Sequence, residues 1–185
     1  MNRAAIKNGK VKISIEFPGQ WAIFLDRDGV INVNRDDYVK DWSEFEFLPG
    51  AIDALKKINS SRYMLILITN QSPIGRGIFT TETLDQIHYN MLHELGKVGA
   101  RIDAIYYCPH KPNDGCSCRK PKPGLILKAA SDFGIDLKNS WMIGDSESDI
   151  KAGASAGCKT AKVTAKKTLL DIIKGILSKE PGEAD

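Results

Sequence analysis

Two uninterrupted apolar runs stand out along the chain, WAIFL at 21–25 and YMLILIT at 63–69, and each stops abruptly, the first at Asp26 and the second at Thr69. A run that is apolar at every position has no solvent face, which is the pattern of a buried strand covered by helices on both sides. Between them PGAIDALKKINS (49–60) sets Ile52, Leu55 and Ile58 at helical spacing behind a proline suited to a first turn. The rhythm repeats downstream. Leu84, Ile87, Met91, Leu95 and Val98 make one helical stripe, and RIDAIYY (101–107) is the next strand. Pro123–Phe133 reads as a helix stopped by Gly134, SWMIG (140–144) as a strand, Ser148–Ala156 as a helix, KTAKV as a strand and Thr168–Leu177 as a last helix. Ahead of all these, VKISIEF (11–17) alternates as a short strand. Strands alternating with helices predict an α/β fold, a Rossmann-like three-layer sandwich around a mostly parallel sheet.

Composition narrows the class. The 185 residues suit one domain over 1–185, with its core at about 20–165, an extra segment at 1–18 and a polar tail at 178–185. No apolar run approaches the ~20 residues of a membrane span. The N-terminus has no signal-peptide-length apolar stretch, so a cytoplasmic protein is expected. Cytosolic thiols stay reduced, which makes a tight cysteine and histidine cluster a metal site before it is a disulfide. The net charge of +3 is too small to imply nucleic acid and is compatible with a small anionic substrate.

Ligands of open α/β sheets bind beyond the carboxyl ends of the strands, so the polar residues that follow each apolar run are the candidates for chemistry. DRDGV places Asp26 and Asp28 two apart, TNQS offers Thr69 and Asn70, and GDSESD offers Asp145 with Asp149 four residues on. An aspartate after a strand is ordinarily a turn or cap residue. As an ordered set, however, Asp26, Asp28 and Asp145 are expected to converge on one hard cation, Mg²⁺ with several waters. Cys108-x-His110, then five residues, then Cys116-x-Cys118 offers three thiolates and an imidazole, a closed tetrahedral zinc set with no open position for catalysis. Zinc there is structural. Cys158 reads as a packed thiol, and His88 and His93, beside the third helix's apolar stripe, receive no role.

LDRDGVIN, ITNQS, CPH…CSCRKPKPG and MIGDSESDI, spread over about 21–163, resemble the haloacid dehalogenase (HAD) superfamily of phosphohydrolases without a cap domain. Within it they look like the branch of heptose bisphosphate and histidinol-phosphate phosphatases. The resemblance implies Asp26 as the nucleophile that forms an aspartyl phosphate, and Asp28 as general acid and then base. It implies Mg²⁺ on the Asp26 carboxylate, the Asp28 backbone carbonyl and Asp145. Thr69 and Lys120 would hold the phosphoryl oxygens, helped by backbone N–H groups near Arg27, Asp28 and Asn70. Spacing leaves Lys120 and Lys122 open; the resemblance selects Lys120, with Lys122 a solvated neighbour. Arg119 would lean toward a second phosphate or polar head group. Gln71, Ser72 and Ser146 complete the expected substrate-side set. About 40 residues between Asp28 and Thr69, and about 50 between Thr69 and Lys120, leave no room for a cap. An open site is therefore expected, bordered by 32–47, SPIGRG and the cysteine loop, with Arg35, Tyr38 and Arg76 as contact candidates.

The first functional expectation is a Mg²⁺-dependent monomeric phosphatase that takes the 7-phosphate from a heptose 1,7-bisphosphate, for cell-surface heptose sugars. A histidinol-phosphate phosphatase is the alternative. Ser146 stands where some heptose phosphatases carry lysine, which counts against a bisphosphate. A polynucleotide 3′-phosphatase is opposed by the zinc loop and the low net charge. A noncatalytic zinc-containing scaffold would need a broken site, and no catalytic position is broken.

Overall fold

A computed structural model describes residues 3–7, 10–14 and 19–179. Strands β1 (Arg3–Lys7) and β2 (Lys10–Ser14) form a two-stranded antiparallel sheet of their own. The strand expected at 11–17 is thus β2. It pairs with β1 and not with the main sheet, and residues 15–17 lie outside the described ones, as do residues 180–185 of the expected tail.

The main sheet is built from β3 (Ala22–Leu25), β4 (Met64–Asn70), β5 (Ala104–Cys108), β6 (Trp141–Gly144) and β7 (Lys159–Lys162). All its pairings are parallel, in the order β5-β4-β3-β6-β7. The helices between them are α1 (Ala51–Asn59), α2 (Ser72–Gly75), α3 (Thr81–Lys97), α4 (Gly124–Phe133), α5 (Glu147–Ala156) and α6 (Leu169–Leu177).

The apolar runs divide by parity, as strand geometry requires. Ile23, Leu25, Leu65 and Leu67 point to one face, where they pack with Leu55 and Ile58 of α1, Ile87, Met91 and Leu95 of α3, and Ile172 and Ile173 of α6. Ala22, Phe24, Ile66 and Ile68 point to the other, against Leu125, Ile126 and Ala129 of α4 and Ala152 and Ala156 of α5. These are the three expected layers, and each run is continuous because both its faces are covered.

Two local expectations shift. Val98 is 41% exposed, because α3 ends at Lys97 and the chain turns through Gly99 at φ 74°. Helix α5 starts one residue early, since Ser146 and Asp149 close a reciprocal capping box around its first turn. The chain leaves β3 toward β4 on one side and later returns to β6 on the other, so the sheet's switch point lies at the carboxyl end of β3, where Asp26 follows.

Candidate active site

Asp26 is anchored by its backbone N–H, which donates to the Ile143 carbonyl at 3.0 Å across the β3–β6 pair. Its Oδ1 accepts from the Arg27 N–H at 2.7 Å and faces Lys120 Nζ at 2.9 Å. Lys120 is 3% exposed. Its ammonium also lies 2.6 Å from Asp149 Oδ1 and donates to the Ile68 carbonyl at 2.7 Å. A buried ammonium keeps its charge only among such partners. Burial alone would lower the Lys120 pKa, but Asp26 and Asp149 outweigh it and hold it above the ordinary value. For Asp26 burial wins: it pushes the carboxyl up to about 6, against Lys120 and with help from Asp149 and Asp28.

Lys120 is placed by the end of β4. The Asn70 side chain makes a two-way clip, with Oδ1 accepting from the Lys120 N–H at 3.1 Å and Nδ2 donating to the Lys120 carbonyl at 3.2 Å. Lys122 points elsewhere. Its ammonium donates to the Gly115 and Cys116 carbonyls, so Lys120 is the lysine beside Asp26 and Lys122 is a staple on the cysteine loop.

The Asp28 carboxylate does not join the other acids, contrary to the convergence expected from spacing. The Arg27 guanidinium reaches both its oxygens, with Nη2 at 2.9 Å from Oδ1 and 3.0 Å from Oδ2. Asn32 Nδ2 donates to Oδ1 at 2.9 Å and Gln71 Nε2 to Oδ2 at 3.0 Å. Burial would raise this carboxyl, yet Arg27, Asn32 and Gln71 together hold it below the usual carboxylate range. The acids that do converge are Asp26, Asp145 and Asp149, whose oxygens lie within 4.8 Å of one another. Burial and the neighbouring Asp149 raise Asp145 as well, so two carboxyls sit at elevated pKa with Lys120 as their cationic neighbour. That excess of negative charge on hard oxygen donors fits Mg²⁺. Both Asp149 oxygens are already engaged, Oδ1 by Lys120 and Oδ2 by the α5 cap, whereas Asp26 is engaged at Oδ1, which leaves Asp26 and Asp145 as the side chains for the ion. Gly29 makes this approach possible: it has φ 79°, and a Cβ there would overlap the Asp145 carboxylate.

The four zinc candidates come together at the end of β5. Cys108 Sγ lies 3.2 Å from Cys118 Sγ and 3.7 Å from Cys116 Sγ, and His110 Nδ1 is 3.3 Å from Cys118 Sγ. A tetrahedron with Zn–S bonds of about 2.3 Å has edges of about 3.8 Å, so the set fits zinc. The loop is tied to the residues that follow β4. Gln71 N–H donates to the Cys108 carbonyl at 2.7 Å and Gly75 N–H to that of Pro109 at 2.9 Å. Arg119 Nη1 donates to the His110 carbonyl at 3.2 Å. Gly124 completes the joint, since a Cβ there would strike the Ser117 carbonyl.

The remaining expected residues divide. Thr69, Gln71 and Ser72 are buried at the end of β4 and the start of α2, and Gln71 Nε2 also donates to Thr69 Oγ1 at 2.9 Å. The Ser146 hydroxyl is occupied in the α5 cap, donating to Asp149 Oδ2 at 2.6 Å, a different task from the substrate contact expected of it. Arg35 is held by Asp37, Glu44 and the Tyr38 carbonyl, while Tyr38 has φ 68° and Arg76 is exposed beyond α2. Sequence reasoning left two participants without a task. Asp149 was legible as the last residue of an S-x-x-D capping box, and His88 gave no signal beyond its place next to Ile87 in the α3 stripe.

Comparison with known proteins identifies the family. A HAD-hydrolase-like family model matches residues 117–177. A D-glycero-β-D-manno-heptose-1,7-bisphosphate 7-phosphatase of Helicobacter pylori is 48% identical over 139 residues, 75% of this chain and 80% of the relative. The enzyme of that name from Bordetella bronchiseptica is 44% identical over 136 residues, covering 74% and 76%. The chain is a HAD-family phosphatase. A crystal structure of D,D-heptose 1,7-bisphosphate phosphatase from B. bronchiseptica, complexed with magnesium and phosphate, superposes with a TM-score of 0.81 at 35% identity, covering 86% of this chain and 99% of that one. A HAD-like phosphatase of Mesorhizobium loti gives 0.74 at 26% identity, covering 90% of both chains. Magnesium at the phosphatase's carboxylates and zinc at its cysteine loop suit the donors present in each place.

Proposed function

We propose that this HAD phosphatase removes the 7-phosphate of D-glycero-β-D-manno-heptose 1,7-bisphosphate in the cytoplasm, as a monomer, in a route to nucleotide-activated heptose. The reaction rests on one observation: a buried lysine, Lys120, sits 2.9 Å from the Asp26 carboxylate at the switch point of the sheet. The substrate rests on the shared name of relatives 44–48% identical to the chain.

In this reading the Asp26 carboxylate attacks phosphorus in line, and the phosphoryl oxygens are received by Lys120, Thr69 and the backbone N–H groups near Asp28 and Asn70. Asp26, Asp145 and the Asp28 carbonyl would hold Mg²⁺, which would neutralise charge on the transferring group. Asp28 stands apart from that cluster, where it delivers a proton to the leaving oxygen. The negative charge of the arriving phosphate raises its proton affinity from the low resting value. Once the leaving group has gone, Asp28 takes a proton from the water that hydrolyses the aspartyl phosphate. The Ser146 position loses its weight against a bisphosphate, because the hydroxyl supports Asp149 and through it Lys120.

The test is phosphate release from the β and α anomers of the heptose bisphosphate, histidinol phosphate and a 3′-phosphorylated oligonucleotide. The β anomer is expected to lead in kcat/KM by about tenfold or more, on the scale a polar site achieves between related substrates. Preference for histidinol phosphate or the oligonucleotide would overturn the substrate.

A further inference from the structure

Asp28 presents a physical problem. It lies two residues from a carboxylate that faces the cation site, yet it must stay out of that site to handle protons. A free aspartate there would be drawn toward the cation alongside Asp26 and Asp145.

The structure answers with a buried chain of groups. The Arg27 side chain is 1% exposed and lies flat against Asp28, with Nε 3.3 Å from Oδ1 and Nη2 within 3.0 Å of both oxygens. A planar fork fixes both the position and the plane of a carboxylate, which a point charge does not. The fork's remaining face is closed by α3: Nη1 lies 3.3 Å from His88 Nε2. His88 is 7% exposed, and burial, with Arg27 beside it, lowers its pKa to about 3, so the ring is neutral and Nε2 accepts from Arg27. Without that acceptor Nη1 would be a buried donor with nothing to bind, free to pull the guanidinium round. From the opposite side Gln71 Nε2 spans Asp28 Oδ2 and Thr69 Oγ1, which ties the carboxylate to the phosphate-holding threonine.

We propose that Arg27 and His88 are positioning residues for the general acid and base: His88 aligns Arg27, and Arg27 holds the Asp28 carboxylate away from the cation site and toward the leaving oxygen. The inference rests on the phosphatase reading above, and it deepens the role of that site. The competing account makes Arg27–Asp28 a buried ion pair that only stabilises the fold.

Leaving groups separate the two. The alkoxide of a sugar phosphate needs a proton to depart, whereas p-nitrophenolate does not, and kcat/KM reports the phosphoryl-transfer step in which the acid acts. His88→Leu removes the acceptor, His88→Gln keeps one, and Arg27→Lys keeps the charge without the fork. With the holoenzyme, His88→Leu and Arg27→Lys should lower kcat/KM for the heptose bisphosphate about tenfold or more, within the range of general acid catalysis. The value for p-nitrophenyl phosphate should fall clearly less, because that leaving group departs without a proton. Both variants should also show a stoichiometric burst of p-nitrophenolate, because the water-activating step is slowed, and His88→Gln should recover most of the loss. Equal losses on the two substrates, no loss on either, or a His88→Gln no better than His88→Leu would overturn the proposal. If His88→Leu does not fold, Arg27→Lys against the parent carries the same comparison. Should the parent leave the heptose compound untouched, the substrate assignment fails on its own and glycerol phosphate supplies the alkyl arm.

Discussion

Lys120 carries a full charge where water cannot reach it, and its two carboxylate partners are themselves costly to bury. Removing one member of such a set strands the others. Lys120→Met is therefore expected to lower unfolding stability by about 3–5 kcal/mol in urea melts and to abolish phosphate release. Lys122→Met, which frees only two loop carbonyls, should leave turnover within about twofold of the parent. Asp26→Asn should likewise end turnover while keeping the fold, because burial disfavours the charge that is removed and Asp149 still pairs with Lys120. Normal turnover by that variant would refute the aspartyl phosphate. At this scale residue type and order marked Asp26, Asp145 and the four cysteine-loop residues as candidates, while the choice of Lys120 over Lys122 came from the family resemblance and not from spacing. The direction of a side chain was not legible. Asp28 is turned from the other acids because Arg27 and Asn32 of its own loop and Gln71 beyond β4 reach it, and no local spacing encodes a contact such as Gln71–Asp28 between residues 43 apart.

Among the elements, the cysteine loop is the one that local propensity cannot hold. Its residues from Pro109 to Cys118 form no helix or strand after β5, and their order comes from the metal ligands and from backbone bonds to Gln71 and α2. Zinc removal by a strong chelator should lower the melting temperature and the activity together, and restoring zinc should recover both; unchanged activity in a zinc-free protein would show that the clip does not set Lys120. Helix α3 carries a separate signature. Folded His88 stays neutral down to about pH 3, whereas an unfolded chain protonates it near pH 6.5. The unfolded state then binds more protons between those values, so stability falls as the pH drops through 6.5. Between pH 7 and 5 the parent should lose about 2 kcal/mol more than His88→Gln in urea melts. Parallel curves for the two proteins would refute the buried neutral histidine. The apolar periodicity made the main-sheet strands and the long helices legible. It overlooked α2, four residues whose place depends on Gly75 bonding the zinc loop, a tertiary contact without a hydrophobic stripe.

Over the whole molecule, a parallel sheet with helices on both faces brings loops from β3, β4, β6 and the segment after β5 to one end. Asp26 lies at the switch point among them, reached by Lys120 from one side and Asp145 from the other. The short spacings between these loops implied an open site and no cap domain. Which phosphate ester enters is a matter of the rim, where Arg35 is occupied by Asp37 and Glu44 and Arg119 by the zinc loop, and rim geometry leaves no periodic trace in a sequence. For the described residues, no helix is long and apolar enough to cross a membrane. The decisive measurement is ³¹P NMR of the purified protein turning over D-glycero-β-D-manno-heptose 1,7-bisphosphate with Mg²⁺. The 7-phosphate signal should decay into inorganic phosphate while the 1-phosphate signal persists in the product, and Asp26→Asn should show no decay. Loss of the 1-phosphate, or a spectrum that does not change with the active parent protein, would contradict this reaction.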